Sequence, residues 1–230
     1  MSAGLATPVT ALVNAPAVRL DLACGAQKAE GWLGIDVARA PGVDVVHDLF
    51  QFPWPVATGT VAAARCVHFV EHLPHREAPL VEITPGLRGG TIEMLPPMRW
   101  AWSVQDWGFV RDLWFDFWEE VHRVLVPGGE IAVVTPYYSH ERADQDPTHE
   151  RRMCERSYDY LSQAWLERNR CVYPYAADFE VVNYERICLD EAAARRARAF
   201  EHERHLNVVA DLAVTLKAKK PARCWWKEPS

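Results

Sequence analysis

No Cys-x-x-Cys pair occurs among the six cysteines, Cys24, Cys66, Cys154, Cys171, Cys188 and Cys224. Their scatter argues against a zinc ribbon and offers no disulfide framework, so reduced thiols in a cytoplasm are expected. No apolar run approaches the roughly 20 residues a membrane span needs, and no membrane partner is expected. No Lys or Arg precedes Arg19, and Pro8 and Pro16 interrupt the opening residues, which fails the charged-then-apolar pattern of a secretion signal. Basic charge is in deficit too: 25 Lys and Arg stand against 31 Asp and Glu, a formal net charge of −6. That balance argues against a protein whose main task is gripping phosphate backbones.

Tryptophan, by contrast, is in surplus. Of ten, five (Trp100, Trp102, Trp107, Trp114 and Trp118) fall within residues 100–118. One reading is core packing with a lid over a core edge; the other is an aromatic wall around a substrate. A hydrophobic content of 49% and a charged content of 24% are ordinary for a globular chain. The 230 residues suit one α/β domain over 1–230 with appendages.

Short apolar runs ending in turn signals give the strands. Val18–Gly25, Trp32–Val37, Val43–Leu49 and Ala64–Val70 read as four successive strands of an open, mostly parallel α/β sheet. Residues 74–110, broken by Pro74, Pro79, Pro85, Pro96 and Pro97, read as an insertion or lid. From Arg111 the spacing of Trp114, Trp118, Val121 and Leu125 predicts a helix, with Gly128-Gly129 as its stop. Glu130–Thr135 reads as a fifth strand, Ser157–Arg168 as a helix, and Phe179–Leu189 and Val208–Lys217 as a closing strand pair. An Ala/Arg/Glu-rich helical insertion, 190–206, separates that pair, and 218–230 reads as a tail.

The polar residues at the strand ends are the informative ones. Asp21 lies inside an apolar run followed by the small residues Ala23-Cys24-Gly25, where a ligand can approach the backbone. An acid in such a run is costly to bury without a partner, which favours ligand binding over a purely structural role. Asp36 ends the second strand, Asp48-Leu49 the third and His68 the fourth. All four tips would line one crevice at the carboxyl edge of the sheet.

Taken together, Leu20-Asp21-Leu22-Ala23-Cys24-Gly25, Gly34-Ile35-Asp36, His47-Asp48-Leu49, Glu71-His72-Leu73 and Val121–Gly129 resemble the ordered motifs of class I S-adenosylmethionine (SAM)-dependent methyltransferases. The resemblance implies a Rossmann-like, seven-stranded sheet with an antiparallel last strand, and SAM as cofactor. It places Asp21 and Gly25 at the methionine end of SAM, Asp36 at its ribose, Asp48 and Leu49 at its adenine, and His68 beside the sulfonium, with Ala23, Cys24 and Val37 also among the cofactor-binding residues. Two departures stand out: Ala23 replaces the usual first glycine, and the short gap from Gly25 to Asp36 implies a truncated first helix. That truncation, with Pro136–His140 and Gln145–His149, resembles a subgroup of small bacterial and phage-borne methyltransferase-like proteins.

The segment 137–149 concentrates Tyr137, Tyr138, His140, Asp144, Asp146 and His149. One reading is an acceptor-side loop in which His68, Tyr137, His140 or His149 takes the acceptor's proton, while Tyr138, Asp146, Trp100, Trp102 and Trp107 hold the substrate. A metal site from His140, Asp144, Asp146 and His149 lacks a recognised ligand spacing, and no metal is expected. A third reading is structural, with Asp146-Pro147 fixing a turn.

A nicotinamide dehydrogenase would need Gly-x-Gly-x-x-Gly, and Ala23–Lys28 carries one glycine of the three. The Asn/Asp-Pro-Pro-Tyr and Pro-Cys motifs that mark two DNA-methylating families are missing from the expected places. Transfer of a methyl group to an O or N nucleophile of a small aromatic or heterocyclic acceptor is therefore the leading expectation. A nucleotide or nucleic-acid base is the alternative, left open by Arg151-Arg152 and Lys217, Lys219 and Lys220; a non-catalytic SAM-fold scaffold is the other.

Overall fold

The computed structural model describes residues 18–75, 112–171, 173, 175–199 and 205–222. Trp100, Trp102 and Trp107, most of the 74–110 insertion and the end of the 218–230 tail lie outside the described residues.

Seven strands form one sheet: β1 (Val18–Leu22), β2 (Leu33–Asp36), β3 (Val45–Val46), β4 (Val61–Val67), β5 (Leu125–Pro136), β6 (Phe179–Ile187) and β7 (Asp211–Ala218). Their order is β3-β2-β1-β4-β5-β7-β6. Every neighbouring pair runs parallel except those of β7, which is antiparallel to both β5 and β6. This is the Rossmann-like α/β sheet with an antiparallel last strand that the sequence led us to expect. The strand order reverses between β1 and β4, and a sheet of this kind opens a crevice at that point, beyond the carboxyl ends of its strands.

The central strands earn their places by burial. Leu20, Leu22, Ile35, Ala64, Cys66, Ile131, Val133, Leu212, Val214 and Leu216 are all buried in one core. Helix α1 (Leu113–Val124) packs Trp114, Phe117, Trp118, Val121 and Val124 into the same core. Of the tryptophan cluster, Trp114 and Trp118 are therefore core residues: their rings stack edge to face at 5.4 Å, and Trp118 meets Phe179 at 5.7 Å. The Asp112 side chain caps the first turn of α1 by accepting from Trp114 N at 2.8 Å.

Several boundaries differ from those read off the sequence. The truncated helix expected after β1 is absent altogether, and residues 23–32 cross to β2 as turns. Asp21 Oδ2 accepts from Ala29 N at 2.8 Å and Cys24 O from Gln27 N at 3.1 Å, so the turn meets its own hydrogen-bonding needs. Strand β3 keeps only two of the expected residues, because Asp44 turns back to take Gly34 N at 2.8 Å and Asp48 folds onto Phe50 N at 2.9 Å. Helix α1 ends at Val124, ahead of Gly128-Gly129, since the residue before Pro127 is driven out of the helical region. Those glycines instead shape the irregular start of β5, where a side chain on Gly129 would meet the carbonyls of Val126, Val61 and Ala62 at 3.1–3.2 Å. The expected helix over 157–168 is two short ones, α2 (Glu155–Asp159) and α3 (Gln163–Asn169), with Ser162 capping the second. Helix α4 (Glu191–Arg198) precedes β7.

Candidate functional site

Two of the four non-glycine residues with positive φ among those described stand at the crevice: Ala23 (φ 52°), just past β1, and His68 (φ 52°), just past β4. Such a backbone costs on the order of 1 kcal/mol or more for a residue with a Cβ, and functional sites are where that strain collects. Ala23 thus adopts the conformation that the missing glycine would have supplied. Gly25 follows at φ 51° with open space where a side chain would point, leaving its backbone approachable.

Asp36 joins this turn to β2. Its Oδ2 accepts from Gly25 N at 2.9 Å and its Oδ1 from Ala38 N at 2.8 Å. A carboxylate offers about four acceptor positions, so two remain for a ligand at the sheet edge. Asp21 is differently committed: it is 1% exposed, accepts from Ala29 N, and pairs through Oδ1 with Arg65 Nε at 3.2 Å. Cys24 is buried, and burial with the Asp21 and Asp36 carboxylates holds its thiol above the usual range. Asp48 spends one oxygen on the Phe50 amide, while the Leu49 side chain lies in the core and Leu49 O accepts from Trp54 Nε1 at 3.2 Å. Val37 is well exposed beside Asp36.

On the other side of the crevice, a short 3-10 turn, Val70–His72, follows His68. The loop after β5 is sewn to it: Glu71 O accepts both Glu150 N at 2.9 Å and Arg151 N at 3.0 Å, and Arg151 Nε donates to Leu73 O at 2.7 Å. Asp146 organises that loop. Its Oδ1 accepts from Thr148 N at 2.9 Å and from the Thr148 hydroxyl at 2.7 Å, which draws its carboxyl below the usual range. The same Thr148 hydroxyl lies 2.9 Å from His72 Nδ1. Asp146 is thus the turn-former of the structural reading.

The histidines divide. His140 is buried and its Nδ1 accepts from Arg142 N at 3.1 Å, capping the 3-10 turn Glu141–Ala143. His149 Nδ1 lies 3.1 Å from Ala143 O, and its Nε2 is 4.0 Å from Glu71 Oε1. His68 is 43% exposed at the side chain, with Nδ1 3.4 Å from Glu71 Oε1. The Glu71 carboxylate raises the His68 pKa above its ordinary value, against a burial effect that lowers it. Tyr137 is buried with its hydroxyl donating to Glu155 Oε2 at 3.1 Å, and burial pushes its pKa upward, away from the range of a useful base. Tyr138 is exposed, and its ring meets that of Tyr137 at 4.8 Å, tilted by 57°. Both line a cavity of about 600 Å³ with Tyr184, Arg156 and Arg186. The set His140, Asp144, Asp146 and His149 does not converge, since Asp144 pairs with Arg152 at 2.6 Å and Asp146 with Thr148.

Sequence reasoning passed over Arg65, the partner of Asp21, and Thr148, the link between Asp146 and His72. An arginine within an otherwise small and apolar strand was the available signal for the first.

No protein-family model matches the chain, and no curated protein matches it in sequence. Solved structures do follow a similar course. A SAM-dependent methyltransferase from Archaeoglobus fulgidus matches at 15% identity with a TM-score of 0.48, over 90% of this chain and 89% of that one. One from Mesorhizobium loti matches at 13% identity with a TM-score of 0.46, over 93% and 98% of the two chains. The 1,6-didemethyltoxoflavin-N1-methyltransferase of Burkholderia thailandensis, solved with 1,6-didemethyltoxoflavin and S-adenosylhomocysteine, matches at 12% identity with a TM-score of 0.43, over 94% and 79%. Identities and scores are low, so the fold assignment rests on strand order and register: a Rossmann-like, mostly parallel α/β sheet with an antiparallel β7. No helix among the described residues is long and apolar enough to cross a membrane.

Proposed function

We propose that this chain binds SAM at the carboxyl edge of β1 and β2 and transfers its methyl group to an O or N nucleophile of a small aromatic or heterocyclic acceptor. The observation that carries the reading is the strained turn Ala23–Gly25, tied by Gly25 N to the Asp36 carboxylate at the reversal of strand order. The residues fit the cofactor: Gly25 leaves room for close approach, and Asp36 retains lone pairs for ribose hydroxyls. When bound, SAM supplies a methyl group already activated on a sulfonium sulfur, ready for in-line displacement.

What remains for the protein is positioning and exclusion of water. Asp36 fixes the ribose, the 23–25 turn orients the methionine end, and His68, held over the crevice by its left-handed backbone, offers a ring nitrogen to the acceptor's heteroatom. Tyr138 and the cavity it lines give an aromatic acceptor a face to stack on. Of the four candidate bases, this assigns the acceptor side to His68 and leaves Tyr137 and His140 to their structural bonds.

Calorimetric titration with SAM and S-adenosylhomocysteine tests the reading. One-to-one binding is expected, and Asp36→Ala should weaken it about 10- to 100-fold, the worth of hydrogen bonds to a charged group. A folded protein that binds neither compound overturns the proposal.

A further inference from the structure

We infer that Glu71, His72 and His149 form a binding site for a divalent first-row transition-metal ion. One ligating atom from each of the three lies within 4.8 Å of the others. The three come from two segments, the 3-10 turn after β4 and the loop after β5, which the two bonds to Glu71 O hold in register.

Glu71 makes the case. Its side chain is 1% exposed, and neither carboxylate oxygen receives a hydrogen bond. His68 Nδ1 at 3.4 Å and His149 Nε2 at 4.0 Å stand beyond normal hydrogen-bond length from its Oε1. A buried carboxylate left in that state is strongly unfavourable unless something satisfies it.

The histidines indicate what does. His72 Nδ1 lies 3.2 Å from Thr148 O, and His149 Nδ1 lies 3.1 Å from Ala143 O. A carbonyl only accepts, so each Nδ1 carries the hydrogen, and in the neutral ring each Nε2 keeps its lone pair. The Thr148 hydroxyl agrees, because it donates to Asp146 Oδ1 and so accepts from His72. Ligating histidines in metal sites show this same arrangement, with the distal ring nitrogen held by a backbone carbonyl and the other turned to the ion. Two imidazole lone pairs and a buried carboxylate, gathered in one place, form an all-acceptor cluster that a cation completes.

Two imidazoles and one carboxylate suit zinc, cobalt, iron(II) or manganese rather than calcium or magnesium. Donor atoms in an occupied site stand roughly 3 Å apart for bonds of about 2.0–2.1 Å, so binding draws the three side chains inward. Three protein ligands leave a coordination position open, the pattern of a catalytic rather than a sealed structural site. His68 lies next to Glu71 at the crevice. Resting on the methyl-transfer reading, that open position would take the oxygen or nitrogen of the acceptor.

The test uses the full chain stripped with a chelator and titrated with zinc or cobalt(II) in the absence of SAM. One equivalent is expected to bind, with a visible cobalt absorption band. His72→Ala and His149→Ala should each weaken binding more than about 100-fold and abolish the band, while Thr148→Val, which removes the hydroxyl's bonds to His72 and Asp146 but no proposed ligand, should weaken it about 10-fold. Should an alanine variant fail to fold, carbethoxylation of His72 in the wild-type protein, read by mass spectrometry, answers instead: zinc must protect it. Unchanged binding in folded His72→Ala and His149→Ala variants, no stoichiometric binding at all, or His72 modified equally with and without zinc overturns the site. Metal and SAM are titrated separately, so failure of one proposal is not failure of the other.

Discussion

Replacing Asp21 by Asn separates a structural acid from one reserved for a ligand. The Asp21 carboxylate is 1% exposed, accepts from Ala29 N at 2.8 Å and faces Arg65 Nε at 3.2 Å. Arg65 Nε is buried and makes no hydrogen bond elsewhere, although the side chain as a whole is 33% exposed. Removing one member of a fully buried ion pair costs about 3–5 kcal/mol. Here Asn keeps an acceptor for Ala29 N and water reaches part of Arg65, which brings the expected loss to about 2 kcal/mol. In a chain of this size each kcal/mol moves Tm by about 2–4 °C, so a fall of about 4–8 °C is expected. Urea unfolding of the ligand-free protein measures it directly. Arg65→Leu and the double variant complete a cycle whose coupling should be about 1 kcal/mol, since each single change strands the other's charge. Single-variant losses under about 0.5 kcal/mol with no coupling would refute the reasoning and return Asp21 to the role of an idle carboxylate awaiting a ligand.

Ala23→Gly should stabilise the protein by about 1 kcal/mol, because relief of the positive φ outweighs the added freedom of the unfolded chain; an unchanged or lower urea midpoint would show that the turn is unstrained. His122 is a pH-sensitive point. Burial lowers its pKa below the ordinary 6.5, and its Nε2 donates to Lys219 O at 2.9 Å. The folded state therefore takes up its proton later than the unfolded state as pH falls. This contribution to stability is intact above 6.5 and is lost as pH drops through the lowered value. His122→Gln should show a shallower loss of stability than wild type between about pH 7 and about pH 5, and parallel curves would count against the assignment.

The fold was legible where burial writes a simple pattern. The apolar runs ending at Leu22, Asp36, Val67 and Pro136 are strands, and the carboxyl edge they share is where the polar tips gather. Periodicity misjudged the places where a side chain, rather than a propensity, ends an element. Asp44 and Asp48 shorten β3 by bonding backbone amides, and Gln163 N turns to Asp178 Oδ1 at 3.0 Å where one helix was expected. The acid at position 21 was read as a ligand-binding residue because its burial needs a partner; the structure supplies a protein partner, Arg65, on an adjacent strand, which no local pattern reveals. For the same reason Glu71, His72 and His149 could not be grouped beforehand, since only the pairing of β4 with β5 brings residues 71 and 149 together.

The seam at Glu71 O has a consequence for how this surface can change. Both of its bonds to residues 150 and 151 are main chain to main chain. The latch is therefore indifferent to which side chains the loop displays. Substitutions at exposed loop positions such as Tyr138, Glu141 or Gln145 can redraw the face presented to an incoming molecule while residues 71 and 149 keep their spacing. A crevice hinged this way can trade one guest for another without being rebuilt.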